Sequence, residues 1–436
     1  MTPKTITPVS HPLRGVVRIP GDKSITHRAV IFSALAFGTS RIDGYLPSDD
    51  CLRTVAAFRQ MGVAFEEVRH DGAPALRVTG VGRRGLLEPA NVIDCGNSGT
   101  TMRLLTGLLA GQSFFSVLAG DASLRRRPMR RVIDPLRRMG AEISGRADDH
   151  LAPLAIRGRR LSGIDHALPI ASAQVKSAIL LAGLTASGAT RVREPAHSRD
   201  HTERMLSHFG QPCLRQDDWI GVQGGGGLTG VDVAVPGDFS SAAFFLVAAA
   251  VVEDSEITVD QIGINPTRTG LIDVLRKMGA DISLTPRPSL CGEPVAEITV
   301  RWRPLRGITV AGDRLPSLID EFPILCVAAA VADGETVIRG AAELRVKESD
   351  RIAAMAEALS AVGVKAEALP DGIRIPGGGR FTGGTCKTHG DHRVAMAMAV
   401  AALVATGPIT LNDTDSIQTS FPDFMTQLAS LTARPE

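Results

Sequence analysis

Residues 20–28, PGDKSITHR, place a cluster of polar residues at the predicted start of an apolar helix. The same outline recurs five more times along the 436 residues: a polar start, a helix rich in alanine and leucine, and a short strand-like segment. The six polar starts are Lys23-Ser24, Ser98-Gly99-Thr100, Ser172-Ala173-Gln174, Asp238-Phe239-Ser240, Asp320-Glu321 and Asp391-His392-Arg393. They lie roughly 65 to 82 residues apart, and self-similarity at such a spacing indicates an internal structural repeat.

A second helix in each repeat ends with a common stop signal, a glycine directly after the last turn. Glycine just past the last helical residue is a frequent helix terminator. The five glycines are Gly62, Gly140, Gly210, Gly279 and Gly363. Alternating runs such as residues 280–284 follow four of them and predict strands. The sixth copy of this helix is predicted at residues 422–431. The predicted unit is βαβαββ, and six such units predict an α/β (α+β) chain.

Two Pro-Gly joints, Pro20-Gly21 and Pro236-Gly237, predict where the chain crosses between domains. A predicted strand at residues 14–19 precedes the first joint, and a similar strand at residues 231–235 precedes the second, about three repeats later. We therefore expect one discontinuous domain formed by residues 1–20 plus 238–436. The other domain is expected at residues 21–237, and each domain would hold three repeats.

The composition argues against several classes of protein. The chain has 48 Lys and Arg against 46 Asp and Glu, and a net charge of +2 does not favour nucleic acid or an anionic membrane as a partner. The longest apolar run, residues 242–252, is too short to span a bilayer. Six scattered cysteines form no Cys-x-x-Cys pair, which is typical of buried thiols in a reducing compartment. We expect a cytoplasmic protein without a metal site.

Cationic residues stand at several predicted helix starts, where the helix dipole disfavours them. Lys23 and Arg28 lie five residues apart and can lean over one helix end, whose free N–H groups also attract anions. Arg393 occupies a similar place. Each position has an ordinary alternative, a solvated cation or a simple helix cap at Ser172 or Asp391. Residues that break local rules at several equivalent ends nevertheless indicate a functional site for a small anionic substrate.

Two charge runs add candidate groups. Residues 121–131 contain five arginines but no interleaved aromatic residues, which favours a loop that presents one or two arginines to a carboxylate or phosphate over a nucleic-acid surface. Residues 344–351, LRVKESDR, are predicted to start a helix with Lys347 and Arg351 on one face. Glu348, held among these cations, is a candidate proton shuttle. The alternative is a solvated helix start with surface ion pairs.

Seven stretches of the chain together resemble the enolpyruvyl transferase family: PGDKSITHRA, GNSGTTMRLLTG, RRPM, ASAQVKSA, NPTRTG, LRVKESDR and DHRVAMAMA. The resemblance covers nearly the whole chain and is to the members that act on shikimate 3-phosphate, in their second bacterial class. It implies a two-domain inside-out α/β barrel with three βαβαββ repeats in each domain. It also implies transfer of the enolpyruvyl (carboxyvinyl) group of phosphoenolpyruvate to the 5-hydroxyl of shikimate 3-phosphate with release of phosphate. The resemblance further implies aromatic amino-acid (chorismate) biosynthesis, a role as a target of glyphosate, no cofactor or metal, and a monomer.

The resemblance also implies a role for individual residues. Shikimate 3-phosphate would be bound by Lys23, Ser24, Arg28, Ser172, Ala173, Gln174, Arg199, Asp320 and Lys347. Phosphoenolpyruvate would be bound by Lys23, Gly99, Arg127, Gln174, Arg351 and Arg393. The catalytic groups would be Asp320 as the base for the 5-hydroxyl, Glu348 for the proton at C3, and Lys23 at the leaving phosphate. The chain departs from the family pattern at residues 418–422, where a lysine is missing, and at Glu343, where asparagine is common.

Two alternative functions remain open at this stage. The first is a UDP-N-acetylglucosamine enolpyruvyl transferase, whose reactive cysteine would be expected within residues 121–131, where this chain has none. The second is an RNA-interacting protein of related fold that uses the arginine cluster. That function would leave the motifs around Lys23 and Lys347 without an explanation.

Overall fold

The computed structural model describes residues 2–310 and 312–433. The helices are α1 (Lys23–Leu35), α2 (Asp49–Gln60), α3 (Gly99–Ala110), α4 (Arg130–Arg138), α5 (Ala173–Gly183), α6 (His201–His208), α7 (Phe239–Val251), α8 (Gly270–Met278), α9 (Phe322–Val331), α10 (Arg351–Ala361), α11 (His392–Leu403) and α12 (Phe424–Thr432). Helix α12 begins two residues later than the sequence predicts. Within the described ranges, no helix is long and apolar enough to cross a membrane.

Short strands alternate with these helices. They are β1 (Lys4–Ile6), β2 (Arg14–Val17), β3 (Phe37–Asp43), β4 (Ala64–His70), β5 (Ala73–Val81), β6 (Ile93–Asp94), β7 (Phe115–Ala119), β8 (Glu142–Arg146), β9 (Leu151–Arg157), β10 (Asp165–Ala167), β11 (Ala189–Arg193), β12 (Leu214–Gln216), β13 (Trp219–Gln223), β14 (Val233–Ala234), β15 (Glu256–Gly263), β16 (Asp281–Leu290), β17 (Glu293–Arg301), β18 (Thr309–Val310), β19 (Thr336–Ile338), β20 (Glu367–Leu369), β21 (Gly372–Ile375), β22 (Gly384–Cys386) and β23 (Ile409–Leu411).

The chain folds into two units, which are described separately below. Unit 1 comprises residues 1–20, 237–288 and 294–436, as far as these are described. Unit 2 comprises residues 21–236 and 289–293, and the latter segment holds the turn between β16 and β17. The domain assignment made from the sequence stays a prediction.

One strand order recurs in the sheets. In unit 2 the orders are β14-β3-β5-β4, β6-β7-β9-β8 and β10-β11-β13-β12. In unit 1 they are β2-β15-β17-β16 and β18-β19-β21-β20, with a shorter sheet β1-β23-β22. In each four-stranded sheet the first two strands are parallel and the middle two antiparallel. The predicted βαβαββ repeat is therefore confirmed, and in the sixth copy β1 from the start of the chain completes the sheet.

Each Pro-Gly joint follows a strand that remains in the unit that the chain is about to leave. Strand β2 directly precedes the first joint but pairs in parallel with β15 of unit 1. Strand β14 directly precedes the second joint and pairs in parallel with β3 of unit 2. Each joint therefore separates a strand from the helix that follows it in sequence, since that helix belongs to the other unit.

The helix ends follow the predicted glycine signal. The residues that follow α2, α4, α6, α8 and α10 adopt left-handed backbone conformations in which a side chain is strained. Their φ angles are +86° at Gly62, +101° at Gly140, +88° at Gly210, +105° at Gly279 and +85° at Gly363.

The helix starts agree with the sequence in position but not always in detail. Asp22, which stands before the polar start Lys23-Ser24, caps α1, since its carboxylate accepts a hydrogen bond from the Ile25 N–H at 2.8 Å. The predicted helical face with Lys347 and Arg351 is wrong. Asp350 caps α10 and accepts from the Ala353 N–H, so the helix begins only at Arg351. Lys347 lies in the irregular segment before it.

Small side chains allow the first helix of each repeat to pack deep in its unit. Every residue of α7 and α11 is buried. In unit 2, a methyl group added at Gly107 of α3 would lie 2.1 Å from the carbonyl oxygen of Ala178 in α5, so these helices touch through their backbones. The alanine-rich composition thus brings the helix axes close together, and their N-terminal ends meet within each unit.

Candidate active site

The N-terminal ends of α1 and α3 are joined in unit 2 around Lys23. The ammonium nitrogen of Lys23 lies 3.1 Å from the Oδ2 atom of Asp50 in α2. The carbonyl of Asp50 accepts a hydrogen bond of 3.4 Å from the Thr101 hydroxyl, and Thr101 also bonds Ser98, the cap of α3. The side chain of Lys23 is 17% exposed, and its ion pair with Asp50 holds the ammonium group beside the first turn of α2.

Gly99 begins α3 beside two guanidinium groups. An added methyl group would lie 2.7 Å from an Nη1 atom of Arg103 and 3.2 Å from that of Arg127. Arg127 donates to the side chain of Asn97 at 2.7 Å, and Arg103 donates to the Oε1 atom of Gln174 at 2.6 Å. These bonds link the start of α3 to the arginine-rich residues 121–131 and to α5.

The start of α5 carries three predicted ligands of shikimate 3-phosphate. Ser172 caps the helix, since its hydroxyl accepts from the Val175 N–H at 3.5 Å. Ala173 is the first helical residue, and Gln174 donates through Nε2 to the Thr100 hydroxyl at 2.9 Å. The starts of α3 and α5 therefore lie side by side, as the repeat predicts.

Arg28 is a buried arginine that joins α1 to α5 and α6. Its guanidinium donates to the Thr202 hydroxyl at 2.7 Å, to the Ser177 hydroxyl at 2.8 Å and to the carbonyl of Ser24 at 2.9 Å. Burial lowers the pKa of Arg28 to about 10, and the nearby positive charge of Arg199 acts in the same direction. The positive charges of Arg28 and Arg199 therefore act on each other, and a pair of guanidinium groups of this kind suits a doubly charged anion.

In unit 1, the guanidinium of Arg351 binds carboxylates from three segments. Its Nε atom donates to Asp391 at 2.8 Å, one Nη atom donates to Glu348 at 2.7 Å and the other to Asp320 at 3.4 Å. Burial opposes the charge of Arg351, but these carboxylates outweigh it and raise its pKa. The starts of α9, α10 and α11 are therefore gathered around one cation.

Arg393 extends this cluster toward α9 and α7. One Nη atom donates to the carbonyl of Asp320 at 3.1 Å and lies 3.8 Å from the carboxylate of Glu321. Glu321 in turn accepts a short hydrogen bond from the Ser240 hydroxyl. Arg268 donates to the same hydroxyl at 2.7 Å and forms an ion pair with Asp238 at 3.1 Å.

Lys347 lies at the edge of the same carboxylate group. Its ammonium nitrogen is 3.8 Å from the Oε1 atom of Glu343, the residue that departs from the family pattern. Burial lowers the pKa of Lys347, while the negative charges of Asp320, Glu343 and Glu348 act in the opposite direction. The substitution at Glu343 therefore provides a counter-charge for this lysine.

The two clusters differ in charge. The unit 2 cluster contains five cationic side chains: Lys23, Arg28, Arg103, Arg127 and Arg199. Asp50 is the carboxylate partner of Lys23, and the negative charges of Glu203, Asp22 and Glu293 act on Arg28. The unit 1 cluster contains carboxylates and cations in mixture: Asp320, Glu321, Glu343, Glu348, Asp391, Lys347, Arg351 and Arg393. The first arrangement suits an anion, and the second can both bind an anion and move protons.

Sequence reasoning missed Arg103, Arg268 and Glu321. Arg103 and Arg268 lie inside the motifs GNSGTTMRLLTG and NPTRTG, and Glu321 directly follows Asp320. An arginine four residues after Gly99, in a helix with no other charged residue, is the signal that could have identified Arg103. The partners of Arg103 and Glu321 lie in other repeats, and those of Arg268 lie about 30 residues back at the start of its own repeat. These roles depend on contacts between separate segments that a single sequence does not display.

Comparison of the whole chain with known proteins shows the family to which it belongs. A model of the family described as EPSP synthase (3-phosphoshikimate 1-carboxyvinyltransferase) matches residues 8–428. The chain belongs to the EPSP synthase family. A 3-phosphoshikimate 1-carboxyvinyltransferase of Geobacter metallireducens is 54% identical over 422 residues, which cover 97% of both chains. One from Alkalilimnicola ehrlichii is 56% identical over 416 residues, 95% of this chain and 92% of the relative.

Solved structures agree with the assignment to the EPSP synthase family. The EPSP synthase of Acinetobacter baumannii is 46% identical, has a TM-score of 0.87, and is matched over 99% of this chain and 98% of that one. The enolpyruvyl transferase NikO from Streptomyces tendae has a TM-score of 0.79 at 19% identity over similar lengths, which supports the fold alone. The predicted two-domain inside-out α/β barrel class is confirmed by these neighbours.

Family membership also settles the choice among the predicted functions. As an EPSP synthase the chain is an enzyme that transfers the enolpyruvyl group to shikimate 3-phosphate in aromatic amino-acid biosynthesis. Glyphosate is expected to target it, as for the family. The UDP-sugar transferase and RNA-binding alternatives are set aside. Among the described residues, no three His, Cys, Asp or Glu side chains are grouped to hold a metal ion.

Proposed function

We propose that the two clusters divide the work of this reaction between them. The unit 2 cluster would bind shikimate 3-phosphate through Lys23, Ser24, Arg28, Ser172, Ala173 and Gln174, with Arg28 and Arg199 on its phosphate. Asp320 and Lys347 of unit 1 would flank the sugar-like ring. The observation that carries this proposal is the excess of cations in unit 2 and the gathering of carboxylates around Arg351 in unit 1.

Phosphoenolpyruvate would be bound by residues of both clusters. Lys23, Gly99, Arg127 and Gln174 would contribute from unit 2, and Arg351 and Arg393 from unit 1. Gly99 suits this role because the absence of a side chain leaves the first turn of α3 open beside Arg127. An anion at a helix start gains from the free N–H groups there, and the neighbouring guanidinium adds charge-assisted hydrogen bonds.

The chemistry proposed is an addition followed by an elimination. Asp320 accepts the proton of the 5-hydroxyl as its oxygen attacks C2 of phosphoenolpyruvate, and Glu348 donates a proton to C3. The resulting tetrahedral intermediate returns a methyl proton to Glu348, and the C2–O bond to phosphate breaks. Lys23 would donate the proton that the leaving phosphate accepts. General acid–base groups of this kind contribute roughly 10²–10⁴-fold in rate.

The geometry supports Asp320 and Glu348 as a pair. Both carboxylates bind the same guanidinium of Arg351, at 3.4 Å and 2.7 Å, so their separation is fixed by one side chain. Arg351 is itself held by Asp391, which is fully buried. Such preorganised groups need little rearrangement when charge develops in the transition state.

We further propose that the enzyme acts as a monomer, because one chain supplies every residue named in both clusters. A role without a nucleic-acid or membrane partner, and a cytoplasmic location, stay predictions from composition. Analytical ultracentrifugation of the free enzyme checks the proposed monomer, and a single species of about 46.0 kDa is expected.

One assay tests the substrate assignment. Purified enzyme is mixed with phosphoenolpyruvate and either shikimate 3-phosphate or UDP-N-acetylglucosamine, and phosphate release is followed together with the mass of the product. We expect one phosphate for each enolpyruvyl shikimate 3-phosphate formed, and no release with the UDP-sugar. Release with the UDP-sugar alone would overturn the assignment.

A further inference from the structure

Lys176 is a buried lysine of unit 2 to which neither the motifs nor the proposed reaction gives a role. Its side chain is 1% exposed, and its ammonium nitrogen lies 2.7 Å from Glu194 and 2.8 Å from Glu203. Both carboxylates are also buried. Burial alone would lower the pKa of Lys176, but the two carboxylates outweigh burial and raise it, so the side chain stays charged.

Glu194 connects this lysine to the loop that carries Arg199. The loop runs from the end of β11 to the start of α6, and Glu194 is its first residue. The carboxylate of Glu194 accepts a short hydrogen bond from the Ser198 hydroxyl and another from the Ser198 N–H at 3.4 Å. The carbonyl of Ser198 also accepts from Lys176 at 3.5 Å. Arg199 directly follows, so its backbone position depends on these bonds.

Glu203 connects the same lysine to the helix that holds Arg28. Glu203 and its neighbour Thr202 lie in the first turn of α6. Thr202 accepts from Arg28 at 2.7 Å and shares a hydrogen bond of 2.7 Å with Ser177, the residue after Lys176. Two consecutive residues of α5 therefore hold two consecutive residues of α6, and Arg28 is fixed between the helices.

We propose that Lys176, Glu194 and Glu203 are positioning residues that hold Arg28 and Arg199 in the geometry required by the phosphate of shikimate 3-phosphate. This inference rests on the phosphate-binding role proposed above for the two arginines. Because Lys176 and its partners are buried, they act through the arginines rather than on the substrate. The three form a clamp between α5, α6 and the intervening loop, called the lysine clamp below.

Two properties of the lysine clamp make it a device for affinity rather than for the chemical step. Arg28 and Arg199 repel each other in the free enzyme, and the clamp supplies the structure that keeps them together before the phosphate arrives. Preorganisation of this kind appears as tighter binding of the ligand concerned. The carboxylates proposed for proton transfer lie in unit 1 and have no contact with the clamp among the bonds described above.

The test compares Glu194→Gln and Lys176→Met in the full-length enzyme. Glu194→Gln leaves the Lys176–Glu203 pair balanced but weakens the hold on the loop. We expect the Kd of shikimate 3-phosphate, measured by calorimetry, to rise on the order of ten- to a hundredfold in both variants. The KM of phosphoenolpyruvate and the kcat at saturating shikimate 3-phosphate should change by less than about threefold. Lys176→Arg should restore part of the affinity.

Two control variants separate this proposal from its alternatives. Leu181→Ala removes a buried side chain of α5 outside the clamp, so it lowers stability and should leave the Kd of shikimate 3-phosphate unchanged. Arg199→Gln tests the phosphate role directly. A raised Kd in Arg199→Gln with a normal Kd in Glu194→Gln overturns the positioning role alone. A normal Kd in Arg199→Gln overturns the proposed site itself. If Lys176→Met fails to fold, Glu194→Gln decides the question.

Discussion

At the scale of single residues, Arg351 shows how a buried cation can organise acid–base groups. The side chain is 1% exposed and binds Asp320, Glu348 and Asp391, which come from three separate segments of unit 1. Removing one member of a buried charged group leaves the charges of the others uncompensated. A test of one carboxylate should therefore add no change of shape to the loss of charge, and substitution by the matching amide keeps the side-chain shape.

The first prediction concerns Glu348 and Asp320. Glu348→Gln keeps the side-chain shape but removes the carrier of the C3 proton, and Asp320→Asn removes the base for the 5-hydroxyl. We expect kcat to fall on the order of 10²–10⁴-fold in each variant, while shikimate 3-phosphate still binds. Glu357→Gln is the matched control, since Glu357 lies on the same helix as Arg351 but bonds His389 and Lys387 at the surface. A near-normal kcat in either test variant removes that residue from proton transfer.

The second prediction concerns Gly99. A methyl group at this position would lie 2.7 Å from the guanidinium of Arg103, which must shift, and 3.2 Å from that of Arg127, which must give way slightly. Crowding of a packed site costs on the order of 1–3 kcal/mol. Glyphosate is slightly longer than phosphoenolpyruvate, so Gly99→Ala should raise the inhibition constant of glyphosate more than the KM of phosphoenolpyruvate. Gly227→Ala, where an added methyl group meets nothing within 4 Å, is the control. Equal inhibition constants for Gly99→Ala and the natural enzyme would contradict the account.

At the scale of elements, α1 contains a buried histidine that must stay neutral. His27 is fully buried, and its Nδ1 atom lies 2.7 Å from the Thr54 hydroxyl. Burial lowers the pKa of His27 to about 3, and the nearby charges of Lys23 and Arg28 act in the same direction. In the unfolded chain the pKa of the same group lies near its ordinary value of 6.5. Between these values the unfolded state binds the extra proton, so acid favours unfolding.

The third prediction follows from that difference. Neutral His27 costs no stability above about pH 6.5. As the pH falls from there toward about 3, the free energy of unfolding decreases by up to about 1.4 kcal/mol per pH unit. His27→Asn can keep a bond to Thr54 without titrating. Its free energy of unfolding, measured by denaturant titration, should therefore depend less steeply on pH between 6.5 and 5. His197→Asn, at an exposed position, should keep the slope of the natural enzyme. An unchanged slope in His27→Asn would show that the buried histidine is not responsible.

The position of β14, directly before the second Pro-Gly joint, supports a fourth prediction. Residues 21–236 contain α1 to α6 and all the strands of the three unit 2 sheets, including β14. We expect this fragment to fold cooperatively alone, although it loses the 2.8 Å pair between His201 and Glu293. A fragment of residues 21–230 keeps β13 but lacks β14 and leaves β3 without its parallel neighbour, so its unfolding midpoint in urea should be lower. A disordered 21–236 fragment would contradict the predicted domain.

The elements also show what a single sequence reveals. Helix starts and glycine stops were predictable because the signals lie within a few residues, as at Gly62 and Asp391. The helical face of Lys347 was wrong, because the carboxylate of Asp350 begins the helix later than the charge pattern indicates. Arg103 and Glu321 were missed because their partners lie one repeat away along the chain. Local chemistry is visible in a sequence, whereas contacts between repeats are not.

At the scale of the whole molecule, a net charge of +2 hides an uneven distribution between the two clusters. Unit 2 places its cations around Arg28 and Lys23, whereas unit 1 gathers carboxylates around Arg351. The repeat produces this division because every copy delivers a helix start to its cluster, while the residues at each start differ. The central claim is that the unit 1 cluster moves protons at C3 of phosphoenolpyruvate.

Solvent deuterium tests that claim most directly. The enzyme is run in D₂O with both substrates, and the vinyl group of the product is analysed by NMR and mass spectrometry. Addition–elimination passes through a methyl group, so the natural enzyme should place deuterium in the vinyl position, and Glu348→Gln should slow both product formation and this exchange together. A product that carries no deuterium would contradict the account.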